Sequence, residues 1–340
     1  MAEREAAVAK GELFGAGRQK LSELLDEWLE IVAATRRATT FQGYRWYCRK
    51  YILPELGHIA LKDIQPSHLQ RFYSGMVGSG LSSSTTAQAH RILHRAFNHA
   101  VKLGLAVRNP ADAATPPKVR RKETKTLSVS DVQIFVEAAR RSSFYPVFVT
   151  LIWTGARRSE VLGLMWKDVD TLLGTISIRR AMHVLKGGEV LFQEPKSRAG
   201  QRSIAMPPTL NLALAEHRAV MERIRGPLQE DDLVFTWEDG RPMRPLSVSH
   251  AFRRIARRAG LKGVRLHDIR HSHATILLEQ GVHPKVVSER LGHSGINITL
   301  DLYSHVAPGI QQAAAAAFDK ALSPVHPRRV ETEKAPLTIR

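Results

Sequence analysis

The sequence predicts a mainly α-helical protein with a small antiparallel β-sheet, divided into two domains. Apolar residues recur at helical spacing over residues 21–105 and through much of residues 127–322. Four short β-prone runs fall together between residues 175 and 205. A chain of 340 residues is long enough for two domains of ~150 residues. The first domain is therefore predicted to be helical and the second α+β.

Four helices are predicted in the first domain. Leu21, Leu24, Leu25, Trp28, Leu29 and Val32 form the apolar stripe of the first. The second runs from residue 42 to residue 52, where Pro54 ends it, and the third begins at Pro66, which suits a first helical position. Ser82, Ser83 and Ser84 mark the start of the fourth helix, which stops at Gly104.

The second domain begins with helices, continues through the strands and returns to helices. Helical patterns cover residues 131–140, 145–154, 158–165, 209–225, 246–259, 267–280, 285–291, 296–304 and 310–322. Strand signals cover residues 175–179, 181–185, 189–192 and 202–205. Gly187-Gly188 marks a turn between the second and third of these strands.

An extended basic segment separates the two domains. Only Glu123 opposes its cations, which are Lys118, Arg120, Arg121, Lys122 and Lys125. Two interpretations remain open: a solvated tether, or a strap that lies on phosphates. The predicted boundaries are an N-terminal segment 1–20, a helical domain 21–112, a linker 113–126, an α+β domain 127–322 and a flexible tail 323–340.

The charge balance indicates a polyanionic partner. Lysine and arginine number 50 against 32 aspartates and glutamates, which gives a formal charge of +18. The apolar fraction of 43% excludes wholesale disorder, and no run approaches the ~18 apolar residues of a membrane span. The first ten residues lack the apolar stretch of a signal peptide. The single cysteine, Cys48, fits a reducing cytoplasm.

Three segments of the second domain carry residues suited to chemistry. They are T-G-A-R-R-S-E at residues 154–160, L-H-D-I-R-H at residues 266–271, and L-G-H at residues 291–293 followed by Tyr303. Arginine at a helix start after a glycine turn suits an anion. His267 and His271 are spaced to bind a metal, although no further ligand recurs at zinc-site spacing. Each segment taken alone is more often a solvated or packing feature than a site.

Taken together, the three segments resemble the tyrosine recombinase family, also called phage-type integrases. The order Arg157, His267, Arg270, His293, Tyr303 and the strings TGARRSEVLGLMWKDVD and LGHSGINITLDLYSHV carry the resemblance, which covers residues 21 to about 320. The resemblance implies a core-binding domain at 21–112 and a catalytic domain at 127–322. It also implies a catalytic lysine, matched by Lys196 in the segment E-P-K-S-R.

The resemblance implies a role for each matched residue. Arg157, Arg270 and His293 would stabilise the charge on the scissile phosphate, and Tyr303 would be the nucleophile. His267 is the candidate base and Lys196 the candidate acid, while Glu160 would hold the side chains of His267 and Arg157. Neither a metal nor ATP is expected, so no cofactor is predicted. The predicted DNA-binding residues are Lys118, Arg120, Arg121, Lys122, Lys125, Arg158, Arg198 and Arg202.

The implied partners are double-stranded DNA at attachment or crossover sites and three further copies of the chain. Four protomers would exchange strands through a Holliday junction, in the cytoplasm of a bacterium and without membrane contact. Residues 310–322 would dock on a neighbouring protomer, or else pack on their own domain. Accessory DNA-bending or excision proteins are expected partners of some family members. Residues 1–20 resemble the last helix of the arm-binding domain that many phage integrases carry.

Two other functions compete with recombination. One is a type IB topoisomerase-like enzyme, which relaxes DNA by similar chemistry without exchanging partners. The other is a DNA-binding regulator that keeps the fold without turnover. The separate helical domain and the L-G-H to tyrosine spacing favour recombination over the first, and the complete set of catalytic residue types favours it over the second. The sequence specifies neither the DNA target nor whether the reaction is integration, excision or resolution.

Overall fold

The computed structural model describes residues 19–119, 125–195 and 198–306, and further positions at 315–316, 318–319 and 321–322. The side chains of Arg198 and of residues 303–306 lie outside this description. The predicted N-terminal segment falls outside it almost entirely, as do linker residues 120–124 and the tail 323–340. Within the described parts of the chain, no helix has the length and apolar character that crossing a bilayer requires.

The chain divides into two compact units, Met1–Thr124 with Met182–Gln193, and Lys125–Ala181 with Glu194–Arg340. The described helices of the first unit are α1 (Leu21–Thr35), α2 (Ala38–Tyr47), α3 (Leu53–Leu56), α4 (Pro66–Gly78) and α5 (Ser83–Lys102). The predicted helix stop at Pro54 is wrong. A π-helical turn at Cys48–Ile52 joins α2 to α3, and Pro54 lies in the first turn of α3. Proline is tolerated there because its missing N–H would have no helical partner.

The core of the first unit forms between the apolar faces of its helices. All six residues of the predicted α1 stripe are buried, and Trp28 stacks on Tyr44 with ring centroids 5.5 Å apart. The hydroxyl of Ser82 accepts a hydrogen bond from the N–H of Thr85 at 3.2 Å, so the first of the three serines that predicted the start of α5 is its cap. Gly104 follows the end of α5 with φ of 73°, a left-handed conformation that suits glycine.

A β-hairpin from the middle of the chain groups with the first unit. Its strands are β3 (Ala181–Val184) and β4 (Val190–Gln193). The N–H of Lys186 donates to Oε1 of Gln42 at 2.9 Å, and its Nζ lies 5.4 Å from the ring centroid of Trp46. These contacts with α2 explain why the grouping departs from the predicted boundaries, which place the hairpin with residues 127–322.

The second unit combines helices with a three-stranded sheet. Its described helices are α6 (Val129–Ala139), α7 (Tyr145–Thr154), α8 (Arg158–Val161), α9 (Pro208–Arg225), α10 (Pro245–Arg258), α11 (Asp268–Glu279), α12 (Pro284–Leu291) and α13 (Asn297–Val306). The antiparallel sheet has the order β1 (Val169–Asp170), β2 (Thr175–Ile178), β5 (Arg202–Ala205). Phe135, Phe148 and Phe252 meet in the core, with ring centroids 4.7 to 6.0 Å apart. The mainly α-helical class with small antiparallel sheets is confirmed.

Helix α8 is much shorter than the predicted helix 158–165. After Val161 the chain turns and pairs with residues 232–234 instead of continuing the helix. The N–H of Val234 donates to the carbonyl of Leu164 at 2.9 Å, and the N–H of Trp166 donates to the carbonyl of Asp232 at 3.0 Å. These long-range bonds satisfy the main chain more fully than another helical turn would, so tertiary structure overrides the local pattern.

Candidate active site

The turn between α7 and α8 places Arg157 beside α11 and α12. Helix α7 ends at Thr154, and Gly155 follows with φ of 63°. A Cβ atom at Gly155 would lie 2.6 Å from Cδ2 of His273 and 2.6 Å from Cδ2 of Leu291. Only glycine therefore allows both the left-handed turn and this close approach. The predicted glycine turn before Arg157 is confirmed.

Arg270 lies in the first turn of α11 and is only 6% exposed. Its Nη1 donates to the carbonyl of Gly155 at 2.9 Å, and its Nη2 donates to the carbonyl of Leu291 at 2.7 Å. Burial and the nearby charge of Arg157 lower the pKa of Arg270 to about 9, so the guanidinium stays charged at neutral pH. Because arginine has five N–H donors, these two bonds leave donors for an anion.

Arg157 is held at its base and stays partly open. Its Nη1 donates to Oε1 of Glu160 at 2.7 Å, its Nη2 donates to the carbonyl of Gly292 at 3.3 Å, and its main-chain N–H donates to Oε2 of Glu160 at 2.9 Å. The Arg157 side chain is 42% exposed, whereas that of Glu160 is 4% exposed. A buried carboxylate thus anchors an arginine that still faces open space.

The second partner of Glu160 is Arg202, and the predicted link to His267 is wrong. Nη2 of Arg202 donates to Oε2 of Glu160 at 2.9 Å, while no hydrogen bond joins Glu160 to His267 among the described residues. Burial acts to raise the pKa of the Glu160 carboxyl. The charge and hydrogen bonds of Arg202, with those of Arg157, outweigh burial and hold this pKa below its ordinary value.

His293 follows the end of α12 through a second left-handed glycine, Gly292, with φ of 67°. Its Nδ1 lies 2.8 Å from Oγ1 of Thr299, a side chain with no exposed surface. Burial, followed by the charges of Arg270 and Arg157, lowers the pKa of His293 to about 4. The imidazole is therefore neutral at physiological pH and carries one N–H that can donate to an anion.

His267 precedes α11 and packs edge-on against His271, with ring centroids 5.0 Å apart. Burial lowers the pKa of His267, and His271 and Arg270 lower it further, so it is a neutral base near pH 7. No group of three metal-ligating side chains occurs in the described part of the chain. His267 lines a cavity of about 590 Å³ together with Arg157, Arg158, Arg253, Arg265 and Arg270.

Two predicted DNA-binding arginines are occupied inside the protein. The Arg202 side chain is 7% exposed and each of its three nitrogens donates to a protein acceptor, so the structure does not support the predicted contact with DNA. Arg158 is half-buried and donates to the carbonyl of Pro245 at 3.1 Å and to the hydroxyl of Ser249. Burial lowers the pKa of Arg158. Its guanidinium braces the cavity wall against α10.

Several predicted residues lie at or beyond the edge of the described structure. Lys118 and Lys125 are exposed, as a DNA-facing residue needs to be. Tyr303 belongs to α13, but its side chain is outside the description. The remaining predicted residues outside it are Arg120, Arg121, Lys122 and Lys196, together with the side chain of Arg198.

Two buried side chains of the site carried no recognised sequence signal. His273 donates from Nδ1 to the carbonyl of Ile152 at 2.9 Å, and its Nε2 accepts from Nε of Arg290 at 3.2 Å. Arg290 also donates to the carbonyl of Trp153 at 2.8 Å. Both residues lie within the segments that carry Arg270 and His293, so the motif spacing could have drawn attention to them. Together they tie α11 and α12 to the end of α7.

Arg157, Arg270 and the neutral His267 line an open cavity, and the neutral His293 lies close enough to both arginines for their charges to lower its pKa, an arrangement suited to an anion. Two family models match the sequence: the phage integrase family over residues 119–309 and the N-terminal SAM-like domain of phage integrases over residues 20–77. The first match spans more than half of the chain. The protein therefore belongs to the phage integrase family of tyrosine recombinases, enzymes that cleave and rejoin DNA.

Relatives and solved structures agree with this assignment. A tyrosine recombinase XerC-like protein of Caldanaerobacter subterraneus is 32% identical over 311 residues, which cover 85% of this chain and 80% of the relative. An integrase of Saccharopolyspora erythraea is 28% identical, with 86% and 80% covered. The solved structure of the Tn1549 transposon integrase with circular intermediate DNA has a TM-score of 0.76 at 22% identity, and the match covers 89% of this chain and 99% of that one. This structural likeness shows the fold.

Proposed function

We propose that this chain is the integrase of a mobile element and cuts one DNA strand at a time through Tyr303. The observation that supports the proposal most directly is the convergence of Arg157, Arg270 and His293 from three separate segments. Main-chain carbonyls at the end of α7 and the end of α12 hold both guanidiniums. A phosphodiester placed in the cavity would meet donors of Arg157 and Arg270, which line it, and His293 directly follows Gly292, whose carbonyl holds Arg157.

The chemistry proposed for this site is an in-line transfer. The Tyr303 oxygen attacks the scissile phosphorus, the bond to the 5′ oxygen breaks, and the strand stays attached through a 3′-phosphotyrosyl bond. The reaction passes through a phosphorane-like state with added negative charge on the non-bridging oxygens. Arg157 and Arg270 stabilise that charge as planar donors, and His293 adds a neutral N–H. Reversal by a 5′ hydroxyl of another strand completes the exchange without ATP.

Two protons move in the cleavage step. The ordinary pKa of tyrosine is about 10, so Tyr303 must lose its proton to a base as it attacks. His267 is the candidate, because its pKa is lowered and it is neutral at physiological pH. The departing 5′ oxygen must gain a proton, and Lys196 is the candidate donor. No metal enters this scheme, because arginines supply the positive charge.

A continuous basic surface in the second unit supports DNA binding next to the site. Helix α10 buries one face and exposes Arg253, Arg254, Arg257 and Arg258 on the other. A cavity of about 610 Å³ beside α10 shares Arg253 and Arg265 with the cavity that holds His267. Helix α10 is thus a candidate for contacts with a DNA groove, and the linker lysines 118 and 125 are candidates for phosphate contacts.

Assembly on DNA completes the proposal. The lambda integrase has been solved as a tetramer bound to a Holliday junction. By analogy, four copies of this chain exchange strands at paired attachment sites, with residues 310–322 of each protomer seated on a neighbour and accessory proteins setting the direction. The proposed place of action is the cytoplasm. The proposed domains are the core-binding domain 21–112, the linker 113–126 and the catalytic domain 127–322.

A covalent-trapping assay tests the nucleophile. The protein is incubated in EDTA and without ATP with DNA flanking its own gene, stopped with detergent, and compared with Tyr303→Phe. We expect a protein–DNA adduct with the wild type and none with Tyr303→Phe, while both bind DNA with the same affinity. Tyr145→Phe is the matched control, since it removes a hydroxyl that lines a different cavity.

The outcomes separate the competing functions. An adduct with Tyr303→Phe would show that another residue is the nucleophile. Binding without an adduct in the wild type would favour a DNA-binding regulator. An adduct accompanied by relaxation of a supercoiled plasmid, but without joining of strands from two duplexes, would favour a topoisomerase-like enzyme. Affinity that does not fall with salt would contradict DNA binding through lysines and arginines.

A further inference from the structure

Arg202 is a buried arginine, and each of its three side-chain nitrogens donates to a protein acceptor. Its Nε donates to the carbonyl of Arg290 at 2.7 Å, its Nη1 to the carbonyl of Gly200 at 3.1 Å, and its Nη2 to Oε2 of Glu160 at 2.9 Å. The side chain is 7% exposed. Burying a guanidinium is costly, and this arrangement meets the cost with an ion pair and two carbonyls.

The chain makes room for Arg202 at Gly292. A Cβ atom at Gly292 would lie 2.8 Å from Nη1 of Arg202 and 2.9 Å from the carbonyl oxygen of Ala199. The glycine of the L-G-H motif thus serves two purposes. Its left-handed φ turns the chain toward His293, and its missing side chain leaves the space that the guanidinium fills.

One arm of Arg202 reaches the carboxylate that anchors Arg157. Oε2 of Glu160 accepts from Arg202, while Oε1 accepts from Nη1 of Arg157 at 2.7 Å. The two arginines therefore grip opposite oxygens of one buried carboxylate. Removal of Arg202 would leave Glu160 held by Arg157 alone and would add an unpaired lone pair to a site with little access to water.

The other arm of Arg202 reaches the end of α12, where the remaining acceptors of the site lie. The carbonyl of Arg290 accepts from Arg202, that of Leu291 accepts from Arg270, and that of Gly292 accepts from Arg157. Three successive carbonyls thus hold three different arginines. Because β5 begins at Arg202 and pairs with β2, the sheet fixes the position of this end of α12.

We propose that Arg202 is a positioning residue for strand cleavage, which holds the guanidiniums of Arg157 and Arg270 on the scissile phosphate. This inference rests on the proposed function, since it assigns Arg202 to the same site. Arg202 acts through Glu160 and the carbonyls of α12, and it does not contact DNA. Its loss shifts both donors away from the charge that develops on the phosphate, so the chemical step slows.

A second buried ion pair in the same unit provides the comparison for a role in stability alone. Arg180, 17% exposed in its side chain, pairs with Asp168, which is 1% exposed. Arg180 also donates to the carbonyl of Gly163 at 3.4 Å, and among the described residues none of its hydrogen bonds or ion pairs involves Glu160 or the carbonyls that hold Arg157 and Arg270. Arg180→Met therefore breaks a similar buried pair and leaves the site geometry intact.

The test compares two forms of one DNA substrate. A duplex in which the wild type forms the adduct is made with either an ordinary scissile phosphate or a methylphosphonate, which carries no charge. Single-turnover adduct formation is measured for the wild type, Arg202→Met, Arg202→Lys and Arg180→Met at a temperature where thermal unfolding shows all to be folded. If a variant misplaces the arginine charges, its rate of adduct formation should fall less on the neutral methylphosphonate than on the charged phosphodiester. A general loss of structure should lower the rate on both substrates equally.

We expect Arg202→Met to slow cleavage of the phosphodiester on the order of 100-fold, and to slow cleavage of the methylphosphonate on the order of tenfold or less. Arg202→Lys keeps the charge but not the planar fork, so it recovers part of the rate. Arg180→Met gives the same ratio between the substrates as the wild type. Equal slowing of both substrates by Arg202→Met, or no slowing, would overturn the inference.

The design separates this inference from the proposed function. If Arg202→Met does not fold, Arg202→Lys decides by the same ratio of rates. If the wild type forms no adduct on any DNA that it binds, the proposed function fails and the inference fails with it. A wild-type adduct with an unchanged substrate ratio in both Arg202 variants overturns only the role of Arg202.

Discussion

Two buried carboxylates of the second unit, Glu160 and Asp168, are each 3% exposed and each face two arginines. The partners of Asp168 come from its own neighbourhood in the sequence: Arg179, Arg180 and the N–H of Met165. The carboxylate of Glu160 joins Arg157, three residues before it, to Arg202, which lies in strand β5, 42 residues after it.

The difference shows what each pair does. A carboxylate that closes bonds with nearby residues shapes one loop, and its removal affects stability. A carboxylate that joins distant segments sets the distance between their side chains. Each carboxylate faces one arginine that is more exposed, Arg157 at 42% and Arg179 at 61%, and one that is less exposed. Arg157 lines the cavity that contains His267, whereas Arg179 and Arg180 do not line it.

The largest effect is expected from removing each carboxylate charge in turn. Glu160→Gln and Asp168→Asn each break a buried pair, so each should lower the free energy of unfolding by about 3–5 kcal/mol. Only Glu160→Gln should also slow adduct formation per folded molecule, on the order of 100-fold, because Arg157 loses its anchor. Urea unfolding and single-turnover cleavage measure the two quantities separately. Equal cleavage rates in the two variants would show that Glu160 is no more important for cleavage than Asp168.

Acid should lower the free energy of unfolding, because buried histidines of the second unit, which also contains Glu160, take up protons. Burial and the charge of Arg290 lower the pKa of His273 to about 4. The unfolded chain takes up this proton near pH 6.5, whereas the folded chain does so only near pH 4. The contribution of His273 is therefore complete above pH 6.5 and is lost as the pH falls toward 4. The loss is on the order of 3 kcal/mol.

Denaturant unfolding at pH 7 and pH 5 measures this dependence. His273→Gln keeps a donor for the carbonyl of Ile152 and an acceptor for Arg290, but it does not titrate. Its stability should change less between the two pH values than that of the wild type. The same slope in both proteins would assign the acid sensitivity to other groups.

The sequence predicted elements well where local signals were sufficient. The bounds of α7 match the predicted residues 145–154, and the four predicted strands agree to within one residue at each end, because periodicity and terminal residues are local properties. The short strand β1 was not predicted. Helix α8 was predicted too long, because its end depends on bonds to residues 232–234, which lie far along the chain. The grouping of the hairpin with the first unit was not predicted for the same reason, since its contacts with α2 are long-range.

For the site as well, local sequence signals identified the residues but not their long-range contacts. Motif order brought Arg157, Arg270 and His293 to attention, and the structure places all three around one site. The family resemblance anticipated Glu160 as a partner of Arg157, but not the carbonyls of Gly155, Leu291 and Gly292, because these contacts join distant segments. Arg202 was predicted to bind DNA, and only the packing of Glu160 and Gly292 around it shows that it is buried.

The space for Arg202 gives a third, smaller prediction. Gly292→Ala adds both a strained left-handed residue and a methyl group against Arg202 and Ala199. Gly260→Ala is the control, since Gly260 has φ of 79° but no atom within 4 Å of the added Cβ. The control should lose about 1 kcal/mol of stability from the backbone alone. Gly292→Ala should lose more and should also slow cleavage, and equal losses in the two variants would show that Arg202 yields to the methyl group without cost.

The smallest effect is expected for Thr299, which contacts His293. The buried Thr299 hydroxyl lies 2.8 Å from Nδ1, which leaves Nε2 as the ring nitrogen available to the phosphate in the proposed reaction. Thr299→Val keeps the shape and removes one hydrogen bond worth about 1 kcal/mol, so cleavage should slow by about 3- to 10-fold. Thr275→Val is the control. It alters a different buried threonine, which lies on α11, and should leave the rate unchanged. If Thr299→Val slowed cleavage as much as Glu160→Gln does, the His293 contact would matter as much for the phosphate donors as the Glu160 carboxylate. The site would then extend well beyond Glu160 and the arginines that it binds.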